Sequence, residues 1–195
     1  KNTHLPKLAN GIWVELDIQN PPENILSLIG NPDILIHLAW QGLPNYKSLH
    51  HFELELPIQY SFLNTLIKEG LQNITVAGTC FEYGMQNESL NEKLNTKPSN
   101  PYGFAKDSLR KQLEFLKMQY NFNLTWARLF YLYGNGQSDR SIYQQLKIAI
   151  QNSETTFNMS NGQQLRDYLP VEKATKYLVD LGLLQKDIGV INICS

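Results

Sequence analysis

In the segment "NPYGFAKDSLRKQLEFL" a tyrosine, Tyr102, stands four positions before a lysine, Lys106. On a helix this spacing puts both side chains on one face. A lysine charge beside a phenol favours the phenolate, so the pair could move protons near neutral pH. The same spacing also suits an amphipathic helix start with no chemistry. Thr79 adds a second feature, because its hydroxyl ends the apolar run "NITVAGT", one sheet position before the helix that carries the pair. A strand-end hydroxyl, a phenol and an ammonium together make a proton-transfer site. Lys106 favours the phenolate, Thr79 orients a substrate oxygen, and Tyr102 gives or takes the proton. The alternative for Thr79 is a turn hydroxyl bonded to its own backbone.

Those residues need elements to hold them. Residues 11–18, "GIWVELDI", read as a strand, and "NPPENILSLIG" as a short helix after a Pro-Pro start. The dense apolar run "DILIHLAW" reads as a strand buried on both faces. From 47 to 69 Leu, Ile and Phe recur at helical spacing until Gly70 stops the helix. "NITVAGT" is the next strand, and the polar stretch after it is a loop. Residues 102–120 are helical, with Leu109, Leu113, Leu116 and Tyr120 on one stripe. A strand "NLTWARLFYLYG", a helix over 142–150, a short extended "TTFNM", a helix over 171–184 and a last strand "GVINIC" complete the order. Alternating strand and helix predict an α/β fold, a doubly wound parallel sheet. Ligands in such sheets sit at the carboxyl ends of the strands, where "HLAW", "GTCFEYG" and "FYLYG" fall. One domain over 1–195 is predicted, with 135–170 contributing to a small substrate-side lobe.

Composition narrows the function classes. The formal net charge is −1 with Lys and Arg dispersed, which disfavours nucleic acid or an anionic membrane as partner. No apolar run is long enough to span a bilayer, and "KNTHLPKLAN" lacks the apolar core of a signal peptide. Two cysteines and four histidines show no disulfide framework or metal-ligand spacing, so a cytoplasmic domain without metal is expected. His37 reads as a structural residue on a buried strand, and His50 and His51 as exposed residues opening a helix.

Taken together, these segments resemble the extended short-chain dehydrogenase/reductase family, in its NAD-dependent epimerase/dehydratase branch acting on nucleotide sugars. The likeness runs over almost the whole chain and rests on ordered motifs. "ELDI" is similar to the strand-end pair that contacts adenine, and falls on Asp17 and Ile18. "HLAW" is similar to the cofactor-lining His-x-Ala-Ala segment, with Leu38, Ala39 and Trp40 against the cofactor; core packing is the equal alternative for Trp40. "GTCFEYG" resembles the Ser/Thr-x-x-x-Tyr-Gly segment, with Thr79 catalytic. "NPYGFAK" carries the Tyr-x-x-x-Lys signature, so Tyr102 and Lys106 serve both catalysis and cofactor. "ARLFYLYG" resembles the family's Arg-x-Phe-Asn-x-Tyr-Gly strand, with Tyr131 facing the substrate. "GQQLRDYLPV" resembles the segment whose arginine, here Arg166 just before a helix start, binds the substrate's diphosphate. The resemblance implies NAD or NADP as cofactor, a nucleotide sugar as substrate, a Rossmann-like fold and a homodimer.

The departures are specific. No glycine-rich Gly-x-x-Gly-x-x-Gly loop occurs, so the chain looks like a fragment lacking the first β-α-β unit, which would hold the pyrophosphate at a helix N-terminus. Tyr131 replaces the family's asparagine, Asn135 a proline, and Glu55 stands where an asparagine is common. In the family's 4,6-dehydratases an Asp-Glu pair follows the threonine; Cys80 and Phe81 occupy those places and cannot do that acid–base work. A 4-ketoreductase acting on a nucleotide 4-keto-6-deoxy sugar and a 4-epimerase remain. Phe81 and Glu82 resemble the reductase segment, and Cys80, Phe81 and Glu82 are taken as substrate-facing. Packing is the alternative for Cys80, and a solvated loop carboxylate for Glu82. From another class, a non-catalytic dinucleotide-binding sensor or scaffold is the competing reading, although it would have no need for Thr79, Tyr102 and Lys106 together.

Overall fold

Successive apolar runs separated by helices cannot form hairpins; they pair side by side through crossovers. The computed structural model describes residues 10–139 and 141–195; His4 lies outside them. In it β1 (Leu35–His37), β2 (Asn73–Thr79), β3 (Asn123–Leu129) and β6 (Gly189–Ile193) form one sheet in the order β1-β2-β3-β6. Every neighbouring pair is parallel. The central strand β2 is buried along its whole length. Helices α2 (Leu56–Lys68) and α3 (Pro101–Leu116) cover one face, and α5 (Val171–Leu183) covers the other.

The period of two along the strands sorts the core. Ile74 and Val76 of β2 and Leu124 and Trp126 of β3 meet Phe62, Leu63 and Leu66 of α2 and Leu109, Leu113 and Leu116 of α3. On the opposite face Ala127 and Ile193 pack with Ala174 and Leu178 of α5. Leu109 and Leu113 are fully buried. At roughly 1.5–3 kcal/mol each, they fix the rotation of α3 about its axis and so the direction in which Tyr102 and Lys106 point. Helix α2 ends at Gly70, whose φ of +110° suits glycine, and Leu71 N–H closes back on Leu66 O at 3.0 Å.

Four expectations are corrected. Residues 11–18 form no strand: no segment among the described residues pairs with them, Ile12 is 89% exposed, and only Leu16 and Ile18 pack on the core. Without a neighbouring strand among the described residues, the segment has no ladder to hold it as a strand. β1 covers only three residues at the sheet edge and is half-buried until His37, although Leu35 packs on the α2–α3 core and Ile36 lies against Gly182 of α5. The run "NLTWARLFYLYG" divides: β3 ends at Leu129, and β4 (Tyr131–Tyr133) pairs with β5 (Tyr168–Pro170) in a separate parallel ladder. "TTFNM" has no strand partner among the described residues. Helix α1 (Ile25–Leu28) and helix α4 (Ile142–Gln151) lie near their predicted places. No described helix is long and apolar enough to cross a membrane.

Candidate active site

The start of α3 is set by its own sequence. Asn100 Oδ1 accepts the Gly103 N–H at 2.8 Å as N-cap, and Pro101 needs no N–H in the first turn. Tyr102 and Lys106 therefore occupy the first two turns, over the end of β2. Gly103 makes the approach possible, since a Cβ there would lie 2.6 Å from Phe81 O. At the end of β2, Thr79 caps a 3₁₀ turn, Cys80–Tyr83: its Oγ1 accepts Phe81 N–H at 3.3 Å, and Glu82 returns a carboxylate oxygen to Thr79 N–H at 2.9 Å. The Thr79 side chain also acts on the Tyr102 phenol, favouring its ionised form. Lys106, 2% exposed, donates to Ala77 O at 2.9 Å and places its ammonium 4.1 Å over the Trp40 ring. Thr79, Tyr102 and Lys106 thus gather at the carboxyl end of β2.

The electrostatics differ from the sequence expectation. Burial, then the nearby Tyr46 and Glu82, push the Tyr102 phenol well above the usual tyrosine range, against the lowering by Thr79. Lys106 is not what sets it; burial instead pulls Lys106 itself down to about 7, with Glu82 and Glu55 opposing. The phenol is therefore held protonated rather than made acidic. His37 is buried and its pKa is pulled down to about 4 by burial and by Lys106, consistent with a structural role. Its Nε2 pairs with Gln59 Oε1 at 2.7 Å.

Glu82 is placed inside the protein. One oxygen accepts from Thr79 N–H and from Trp126 Nε1–H at 2.9 Å; the other accepts from Arg128 Nε–H at 2.7 Å. Gly78 leaves room for this network, because a Cβ would sit 2.2 Å from Trp126 Nε1. With both oxygens filled and no exposed surface, the carboxylate ties β2 to β3 and does not face a substrate. It also does not lie solvated in a loop.

The remaining predicted residues spread around the centre. Phe81 lies edge-on to Tyr102 and to Tyr131, at 6.2 and 6.3 Å between ring centroids. Burial keeps the Cys80 thiol up at about 11, so it is not a nucleophile. The Arg166 guanidinium stands 4.4 Å over the Tyr131 ring and donates to Gln164. It precedes β5 rather than a helix start. Leu38 and Ala39 are exposed beyond the end of β1. Asp17 is exposed and accepts from Gln19 N–H and Asn20 in a local turn, while Ile18 packs on the core. Two contributors escaped sequence reasoning. Tyr46, in a loop with no motif, lies 5.5 Å from Tyr102 and 4.9 Å from Phe81. His51 is fully buried, not exposed.

The donor set can be tested against a nicotinamide dinucleotide. The Lys106 ammonium at the carboxyl end of the central strand, on the Trp40 face, suits a ribose, and Leu38 and Ala39, exposed beyond β1, suit an apolar ring. No glycine loop for a pyrophosphate occurs among the described residues. They hold no cluster of three or more His, Cys, Asp or Glu placed for a metal.

A curated relative, the dTDP-6-deoxy-L-talose 4-dehydrogenase (NAD(+)) of Aggregatibacter actinomycetemcomitans, is 30% identical over 174 residues, covering 89% of this chain and 64% of the relative. The GDP-6-deoxy-D-talose 4-dehydrogenase of the same organism is 26% identical, over 92% of this chain and 62% of its own. The chain thus spans less than two thirds of these relatives. Among solved structures, MoeE5 in complex with UDP-glucuronic acid and NAD superposes with a TM-score of 0.81 at 23% identity, covering all of this chain and 66% of MoeE5. A UDP-N-acetylglucosamine 4-epimerase from Methanobrevibacter ruminantium M1 gives 0.80 at 21% identity, covering 93% of this chain and 60% of the epimerase. These two likenesses concern the fold. The family model described as NAD dependent epimerase/dehydratase matches residues 1–193, and the chain belongs to that family.

Proposed function

We propose that this chain carries the proton-transfer half of a nucleotide-sugar 4-ketoreductase acting on a 4-keto-6-deoxy sugar. The observation that carries the reading is the gathering of Thr79, Tyr102 and Lys106 at the end of β2, with burial holding the phenol protonated. Reduction of a ketone needs a proton donor at the oxygen, and a phenol kept neutral is in the required state. The Thr79 hydroxyl and the Tyr102 phenol bind the substrate oxygen together. When bound, the nicotinamide cofactor supplies the hydride to carbon. Tyr102 gives its proton to the oxygen as the alcohol forms, and the Lys106 ammonium, one turn along α3, offsets the phenolate left behind. Lys106, Leu38, Ala39 and Trp40 would hold the nicotinamide-ribose end of the dinucleotide, and Asp17 and Ile18 the adenine end.

The substrate class has separate support. Tyr46, Phe81 and Tyr131 put aromatic faces around the Thr79–Tyr102 pair, surroundings that suit the methyl of a 6-deoxy sugar better than a hydroxymethyl group. Both curated relatives are named for 6-deoxytalose 4-dehydrogenation, which is 4-keto reduction run backwards. Arg166 is the residue assigned to the diphosphate, with residues 135–170 forming the substrate side. Supplying the intact protein with NADH and a panel of nucleotide-linked 4-keto-6-deoxy hexoses tests this. Stoichiometric loss of reduced-nicotinamide absorbance supports the reductase. Interconversion of 4-epimers without net oxidation would replace it with the epimerase, and no turnover or exchange with any sugar would point to a binding protein.

A further inference from the structure

His51 has no assigned role, yet it is fully buried and its ring is 5.2 Å from that of Tyr102. It opens a π-helical turn, His51–Glu55, just before α2. Both of its ring nitrogens are engaged. Trp40 Nε1–H donates to Nδ1 at 3.0 Å, which leaves the ring hydrogen on Nε2, and Nε2 donates to Asn45 O at 2.9 Å. The rings of Trp40 and His51 are stacked, with an interplanar angle of 26°. Gly42 lets the loop pass close over the histidine: its φ is +84°, and a Cβ there would lie 3.2 Å from His51 Cε1.

Trp40 is where this arrangement meets the chemistry. Its face carries the Lys106 ammonium at 4.1 Å and its edge meets the Tyr102 ring at 5.9 Å. The indole follows the exposed Leu38 and Ala39 at the sheet edge, so its backbone alone does not fix the ring. The carboxylates acting on Lys106, Glu82 and Glu55, are committed elsewhere. Glu82 serves Arg128, Trp126 and Thr79, and Glu55 serves Gln41, Gln59 and His50. On β1, His37 is neutral above about pH 4. Among the described residues, Ala77 O and the indole face are what hold the ammonium.

We infer that His51 is a positioning residue for the Tyr102–Lys106 pair, acting through Trp40: it fixes the indole face on which the Lys106 ammonium rests. The inference builds on the proton-transfer reading of the site. It predicts that loss of the Nδ1 acceptor frees the indole and removes a cation–π contact from Lys106, whose titration midpoint then falls by about 0.5–1.5 pH units.

The test uses the intact protein with 13C-labelled lysine, following by NMR the Lys106 carbon next to the ammonium across pH 5–10, assigned by its loss in Lys106→Met. In the native protein the signal is displaced by the indole ring current and titrates near 7. In His51→Phe, which fills the site but accepts no hydrogen bond, the displacement collapses and the midpoint falls. In His51→Gln, whose amide can accept from the indole and donate to Asn45 O, both return. kcat for a 4-keto sugar drops about three- to thirtyfold in His51→Phe with KM unchanged. Should His51→Phe not fold, Trp40→Phe breaks the same hydrogen bond from the half-exposed side and must also lower the midpoint. An unmoved Lys106 signal in a folded His51→Phe, or His51→Gln behaving like His51→Phe, overturns the inference. A Lys106 signal that moves while kcat stays constant leaves the positioning intact and counts against the proton-transfer reading instead.

Discussion

Replacing Lys106 with Met should make the protein more stable at neutral pH and remove much of its stability gain under alkaline conditions. The lysine is 2% exposed, held by one carbonyl and one indole face, and burial brings it from an ordinary 10.5 to about 7. A lysine whose folded value lies below its unfolded value lets the unfolded chain bind the extra proton between those pH values. Stability therefore rises with pH across that window and is lowest below it. At about 1.4 kcal/mol per pH unit, the full penalty is on the order of 5 kcal/mol at acid pH and fades towards pH 10.5. Between pH 6.5 and 9.5 the native protein should gain on the order of 3 kcal/mol relative to Lys106→Met. Urea unfolding of both proteins at the two pH values measures this, since other titrating groups cancel in the difference. A difference that stays flat to within about 0.5 kcal/mol would refute the claim that a charged lysine is disfavoured in this site.

Gly103→Ala puts a methyl 2.6 Å from Phe81 O; it should cost about 1–3 kcal/mol in thermal or urea unfolding and slow turnover by moving Tyr102 away from Thr79. Arg166→Leu removes an exposed guanidinium from the Tyr131 face. Its apparent affinity for the nucleotide sugar should weaken about 10–100-fold with an unchanged melting temperature, and unchanged affinity would remove Arg166 from the diphosphate site.

The parts of the fold that sequence discloses are those where local pattern and tertiary burial agree. "NITVAGT" is a strand over the predicted residues because it is central and enclosed on every side, and the leucine stripe of α3 faces the core as its spacing demands. Where pairing decides, the pattern misleads. "GIWVELDI" has the alternation of a strand but joins no sheet among the described residues, and "RLFYLYG" reads as continuous although Phe130 N–H bonds Ile193 O while Tyr131 N–H turns to Asp167 O. The site shows the same division. Thr79, Tyr102 and Lys106 were visible as strand-end and i,i+4 residues. The burial of Glu82 was not, because its partners Trp126 and Arg128 lie 44 and 46 residues away. The state of the phenol was also hidden: spacing suggests a lysine effect, whereas burial, then Tyr46 and Glu82, set it. His51 carried no signal beyond a histidine pair, since its role depends on a loop folding back over it.

The central claim is that Tyr102 protonates the substrate oxygen. Tyr102→Phe in the intact protein removes only the phenol hydroxyl and leaves the ring against Trp40, Tyr46 and His51. Single-turnover reduction of a nucleotide-linked 4-keto-6-deoxy sugar by this variant with NADH should be slower by about 10²–10⁴, with the urea midpoint nearly unchanged. Turnover at the native rate by a folded Tyr102→Phe protein would contradict the account.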